Sequence, residues 1–216
     1  MQNPISLKSA ERQIFQTTFA DGLWDVLIGS FVLMFALAPL LSDSLGDFWS
    51  SFIFLPFWGL IYLAIRLARK HLIAPRIGSV KFGKTRQRKM RTFNRIMLVL
   101  NVLALVAGIL AYINLESLAS DRWPGIVDTP ILILSIFLLV GFSIAGTLLD
   151  FPRLYLYGLL LFVAPLIGEW LYANQGAAHH GFPITFGVSA ALIILTGLLL
   201  FVHTLMTNPV VETPEV

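Results

Sequence analysis

Apolar residues fall in six long blocks, at residues 22–41, 48–65, 96–114, 130–149, 154–171 and 184–205, and the polar residues are pushed into the gaps between them. Each block is close to the ~20 residues a helix needs to cross a hydrocarbon layer of ~30 Å. The pattern predicts an all-α, polytopic membrane helix bundle with six transmembrane helices. The blocks take up more than half of the 216 residues, and the remainder is too little for a soluble domain, which needs at least about 50 residues of its own. The expected organisation is a single membrane domain over residues 1–216, with a cytoplasmic N-terminal segment at 1–21, a basic cytoplasmic loop at 66–95 and a cytoplasmic tail at 206–216.

The ends and interruptions of the blocks carry further information. Residues 5–20 place Ile14, Phe15 and Phe19 at helical spacing opposite Lys8, Glu11 and Arg12, a pattern that suits either a helix in the headgroup layer or a frayed end. They lack the short apolar stretch and small-residue cleavage site of a secretory signal, so the first helix is expected to serve as its own insertion signal. Asp21 and Asp25 open that helix, where the helix dipole favours carboxylates. Asp21 is read as the cap. Asp25 is read as one half of a structural ion pair with Arg66 or Arg69, because the second helix returns to the same membrane face.

Pro56 with Gly59, and Pro165 with Gly168, repeat a Pro-x-x-Gly spacing in the second and fifth blocks. Proline removes a donor and frees a carbonyl inside a membrane helix. If the two halves were inverted repeats, such interruptions would mark a midplane path. Sliding the chain by 109 residues superposes both motifs but fails at the third helix, where the basic loop has no equivalent, which favours coincidence. Pro75 is expected to stop the second helix after Arg66, Arg69 and Lys70. Residues 79–82 are expected to be extended, and residues 84–95 to run as helix into the third block.

Charge orients the bundle. Eleven Lys and Arg residues, and no Asp or Glu, lie between Arg66 and Arg95. With the N-terminus inside, these eleven join Lys8, Arg12 and Arg153 on the cytoplasmic face, fourteen of fifteen cations, and only Arg122 is outside. Cations resist translocation, so both termini are expected to be cytoplasmic. Charged residues make up only 12% of the chain and apolar residues 57%, against about a quarter charged in soluble proteins. Cysteine is absent, which removes disulfides and thiolate metal sites from consideration.

The motifs Asp21-Gly22-Leu23-Trp24-Asp25-x-x-Ile28-Gly29 and Pro75-Arg76-Ile77-Gly78-x-Val80-Lys81-Phe82 resemble those of a group of small, uncharacterised bacterial integral membrane proteins with a DGLW-type first helix and a PRIG-type basic loop. The resemblance covers mainly residues 20–95 and departs at Ser79, where the pattern has an aromatic residue. It implies a bacterial cytoplasmic (inner) membrane location and brings no reaction, substrate or cofactor.

The candidate binding residues are therefore the cations of the loop: Arg66, Arg69, Lys70, Arg76, Lys81, Lys84, Arg86, Arg88, Lys89, Arg91 and Arg95. Leu72, Ile73, Ile77, Val80, Phe82, Met90 and Phe93 are interleaved among them, as in a segment lying on anionic phospholipid headgroups, where each cation adds about 1 kcal/mol. The expected partners are the lipid bilayer with its anionic headgroups, a cytoplasmic protein and a second copy of the chain, with no nucleic acid. The first functional reading is a non-enzymatic accessory or sensor subunit. A small secondary transporter or channel is the alternative, with Pro56, Asn101, Pro165 and Glu169 along its path. A membrane enzyme acting on lipid ranks last, since no phosphate-binding glycine loop, HExxH or paired acidic motif is present.

Glu169 near His179 and His180 has the donor types of a zinc site. Adjacent imidazoles diverge, however, so no metal and no cofactor is expected, and the carboxylate is read as solvated. Ser143 and His203 lie at different depths in their helices, too far apart for a nucleophile and base that must meet within about 3 Å. Asn101 and Asn114, the pair Gly141 and Ala145, and the pair Gly187 and Ala191 are read as helix-packing positions.

Overall fold

The computed structural model describes residues 19–77, 91, 92, 94–96, 98, 99, 102, 103, 106 and 129–208. Among them there is no strand. The helices are α1 (Leu23–Leu45), α2 (Asp47–Phe52), α3 (Phe54–Ala68), a π-helical turn (Arg69–Ile73), α4 (Ala74–Ile77), α5 (Thr129–Leu149), α6 (Arg153–Gln175), a 3₁₀ turn (His179–Gly181) and α7 (Phe182–Thr207). Five described segments are long and apolar enough to cross a membrane: Leu23–Leu45, Phe48–Arg76, Ile131–Leu149, Arg153–Gln175 and His179–Thr207. The protein is thus an all-α, multi-pass membrane protein. The described residues between 91 and 106 are helical, and most of the expected third span lies outside the described residues, as does the extended segment expected at 79–82.

The chain divides into two compact units, Met1–Phe82 with Gly187–Val216, and Gly83–Phe186. In the first, α1 and α7 run antiparallel and touch backbone to backbone. The reason lies in side chains that are missing. A Cβ on Gly22 would collide with the carbonyl oxygen of Gly197, and one on Gly29 would stand 3.1 Å from the Ile194 nitrogen and 3.2 Å from the Ala190 oxygen. Farther along, Gly187 faces the Ala36 side chain. Gly22, Gly29 and Ala36 recur every seven residues, so they stack along one face of α1. In the absence of a hydrophobic drive between helices in lipid, such close backbone approach is the main source of association. The sequence reading named Gly187 correctly as a packing position, but its companion is Ala190, which is fully buried, while Ala191 is exposed.

α3 is anchored to α1 through Trp58, whose ring lies 4.3 Å from that of Phe31 and whose Nε1 donates to the Ser30 carbonyl at 3.4 Å. Pro56 acts where proline chemistry requires. Its ring and missing N–H act on the carbonyl four residues earlier, and the helix is broken between Phe52 and Phe54.

In the second unit, α5 and α6 form a hairpin. Asp150 turns through a left-handed conformation with φ of 50°, the Phe151 amide closes on the Gly146 carbonyl at 3.0 Å, and Tyr155 packs over Gly146 while its hydroxyl meets Thr147 Oγ1 at 3.0 Å. Gly158 admits Phe142. Gly141, by contrast, has nothing within 4 Å of where its Cβ would stand, so it is no packing position among the described residues.

Candidate functional site

Within the first unit, three helix ends are tied together by two arginines. α1 begins in an unusual way: Gly22 takes a left-handed φ of 75°, and the Leu23 amide donates to Asp21 Oδ1 at 3.1 Å. The other carboxylate oxygen of Asp21 accepts two bonds from Arg69, from Nη2 at 2.7 Å and from Nε at 3.1 Å. Asp21 therefore serves as both cap and ion-pair partner, where sequence reasoning gave it the cap alone. Its position explains the double role. Asp21 stands before the helix, on non-helical backbone that lets its carboxylate reach both the first turn and Arg69. Asp25 is fully buried, with its Cβ against Gly197. Arg66 lies exposed on α3.

The Arg69 guanidinium also lies 5.5 Å from the centroid of the Trp24 ring, a cation–π distance. Trp24 is thus a platform for Arg69, a role that no spacing in the sequence marks.

Pro75 does not stop the second helix. The turn Arg69–Ile73 widens to π geometry, with the Ala74 amide donating to the Arg69 carbonyl five residues back, and the chain then continues as helix to Ile77. A widened turn relieves the clash between a proline ring and the preceding turn and absorbs its missing donor. The continuation places Arg76 at the end of α7, where Nη1 donates to the carbonyls of Leu205 at 2.7 Å and Asn208 at 3.1 Å. A cation is well placed there, because the last carbonyls of a helix are unsatisfied and carry partial negative charge.

Among the described cations of the segment, Arg69 and Arg76 are thus engaged in the fold. Lys70 is exposed, and Arg91 and Arg95 are exposed on helical backbone in the second unit. Lys81, Lys84, Arg86, Arg88 and Lys89 lie outside the described residues.

The second unit holds a different polar cluster. α6 ends at Gly176, left-handed with φ of 66°, whose amide returns to the Leu171 carbonyl, an αL cap. His179, His180 and Gly181 follow with φ of 50°, 53° and 64°. This run of left-handed residues folds the turn back onto α6, and glycine at 168 and 181 permits the contact: a Cβ on Gly168 would stand 2.7 Å from the His180 carbonyl oxygen. His180 Nδ1 thereby meets Glu169 Oε2 at 2.8 Å, and the Tyr172 ring stacks 4.5 Å from the imidazole. The Glu169 side chain is 9% exposed and that of His180 47%.

The solvated carboxylate expected at Glu169 is corrected to a buried, bonded one, because the turn brings an imidazole onto it. The glutamate lies about 9 Å of helix rise before the end of α6, and Pro165, one turn earlier, is also buried. Among the described residues no three His, Asp or Glu side chains converge as a metal site requires. Asn101, the remaining member of the expected transport path, lies outside the described residues.

Comparison with protein-family models, curated proteins and solved structures finds no match to this chain. Function must be argued from these two clusters and the charge pattern.

Proposed function

We propose that this is a non-enzymatic accessory or sensor subunit of a bacterial cytoplasmic membrane, with both termini cytoplasmic, whose basic segment engages the anionic phospholipid of the inner leaflet. The carrying observation is the division of labour among the cations between Arg66 and Arg95. Arg69 and Arg76 are bonded within the fold, which fixes the start of the segment to the helix ends, while Arg66, Lys70, Arg91 and Arg95 are exposed and no acidic residue lies in the segment to neutralise them. Long cationic side chains beside apolar spans suit a headgroup layer. The resemblance of residues 20–95 to small bacterial membrane proteins supports the location.

The test uses the full-length protein in nanodiscs that mix phosphatidylglycerol with phosphatidylcholine. Lipid retained on extraction is quantified for the wild type and for a variant carrying Arg86→Gln, Arg88→Gln, Lys89→Gln and Arg91→Gln. At about 1 kcal/mol per cation near the surface, enrichment of phosphatidylglycerol should fall at least tenfold in the variant and should weaken with salt in the wild type. Equal enrichment in both proteins would remove the proposal.

A further inference from the structure

The π-helical turn and the two arginines bear on how lipid engagement reaches the helix bundle, and the inference rests on the proposal above. In an unbroken α-helix seven residues advance within about 20° of two full turns, so Arg69 and Arg76 would point the same way. A π turn accommodates one extra residue, which leaves Arg76 about 120° from the direction of Arg69. That offset is what lets Arg69 reach Asp21 before α1 while Arg76 reaches Leu205 and Asn208 at the end of α7.

The two contacts are not equally complete. Arg69 places both Nε and Nη2 on one carboxylate oxygen, and a cation–carboxylate bond of this kind is strong. Arg76 spends Nη1 on two neutral carbonyls, and its Nε is buried with no hydrogen-bond partner among the described residues. A buried donor left unpaired raises the free energy of the state that buries it. A phosphodiester whose headgroup carries no cation of its own, unlike that of phosphatidylcholine, offers Arg76 what the carbonyls do not, an uncompensated negative charge and two oxygens spaced to accept Nε and Nη together.

We propose that Arg76 is a switchable clamp that exchanges the α7 carbonyls for the phosphate of an anionic inner-leaflet lipid, with the π-helical turn Arg69–Ile73 absorbing the rotation. Arg69 stays on Asp21 in both states and acts as the pivot. A π turn that closes to α geometry rotates everything after it by about one residue, near 100°, enough to carry Arg76 off the end of α7. The free end of α7 then signals that lipid is bound.

The chain has no cysteine, so spin labels can be placed at Ala74→Cys and Met206→Cys without removing native thiols. Distances are measured by pulsed EPR on the full chain in nanodiscs of phosphatidylcholine, of phosphatidylcholine with phosphatidylglycerol, and of phosphatidylcholine with added inorganic phosphate. A single short-distance population is expected in phosphatidylcholine with or without phosphate, and a longer one with phosphatidylglycerol. In Arg76→Gln the distances should be the same in all three. Deleting His71 removes the extra residue of the π turn while keeping Arg76 in register with α7, and should leave the short distance in every lipid. If that deletion prevents insertion, the wild-type and Arg76→Gln arms decide alone.

Identical distributions in all nanodiscs for the wild type would overturn the clamp. If phosphatidylglycerol enrichment is still measured, lipid engagement stands and only the switch fails. If enrichment is also absent, both fail. A shift produced equally by inorganic phosphate would reject the lipid as the ligand.

Discussion

In the first unit, Asp21 and the last carbonyls of α7 are gripped by two arginines that project from one continuous run of helical backbone. At the turn that follows α6 in the second unit, Glu169 is met by the His180 imidazole, carried on a run of left-handed residues. Both clusters satisfy polar groups near the ends of apolar helices, and side-chain reach separates them. An arginine carries its donors at the tip of a long flexible stem, so the backbone beneath it stays helical and needs one widened turn. An imidazole sits one carbon from the backbone. The chain itself must bend to deliver it, and the bend is made by positive φ at His179, His180 and Gly181 and by the bare backbone of Gly168. Left-handed backbone at a non-glycine residue costs about 1–2 kcal/mol, so the turn after α6 holds a weaker contact at a higher local cost.

The largest effect that would test this contrast comes from Gly22. Gly22→Ala places a methyl group on left-handed backbone and drives it into the Gly197 carbonyl, removing both the geometry that presents Asp21 to Arg69 and the contact of α1 with α7. A loss of about 3 kcal/mol or more is expected from the strain and overlap together, seen as failure to accumulate or a large fall in melting temperature in detergent. A variant of wild-type stability would show that the close approach of these helices does not set their packing.

Next in size is the ion pair. Asp21→Asn leaves the cap acceptor and withdraws the charge from Arg69. The Asp21 side chain is 2% exposed and that of Arg69 28%, so the loss should fall below the 3–5 kcal/mol of a fully buried pair, at about 2–3 kcal/mol. The double variant with Arg69→Gln should recover part of that loss in a double-mutant cycle on denaturant unfolding. Additive losses would mean that the two residues contribute independently.

The turn after α6 should respond less. Glu169→Gln keeps an acceptor for His180 and removes the charge, and His180 is half exposed, so about 1 kcal/mol is at stake. The measurable consequence is local: faster amide exchange through residues 176–182 with the melting temperature almost unchanged. If the whole protein melted earlier instead, the turn after α6 would be as integral to the fold as the arginine clamp.

What was legible in the sequence follows the same division. Helix class and the five described spans could be read because apolar run length is a direct physical requirement of the bilayer. The pairing of the second helix with the start of α1 was legible as a type of interaction, since a returning cationic helix must meet the carboxylates there. That Asp21 takes part depends on Gly22 adopting positive φ, a conformation that glycine permits but does not announce. Pro75 misled because the rule that proline ends helices has an escape through a widened turn, and only the tertiary contacts of Arg76 make that escape favourable. Glu169 with His180 was half visible as proximity in sequence, whereas the fold-back that joins them needs Gly168 and Gly181 to touch across the turn.

The smallest expected effect sharpens the contrast in a third place, between glycines that admit a neighbour and one that does not. Small residues in the fourth and sixth apolar blocks looked alike in sequence, yet Gly187 faces Ala36 at 3.7 Å while Gly141 has open space around the position of its Cβ. Alanine is favoured over glycine inside a helix by about 0.8–1.0 kcal/mol in water, and at Gly141 no described contact opposes that preference. Gly141→Ala should therefore be neutral or stabilising by up to about 0.5 kcal/mol, given that packing context tempers such propensities. Gly29→Ala should be clearly destabilising, because its methyl would meet Ile194 Cγ1 at 2.5 Å and backbone just beyond. Paired melting curves in the same detergent compare the two. A Gly141 variant as damaged as the Gly29 variant would mean that α5 has a close neighbour beyond the described residues.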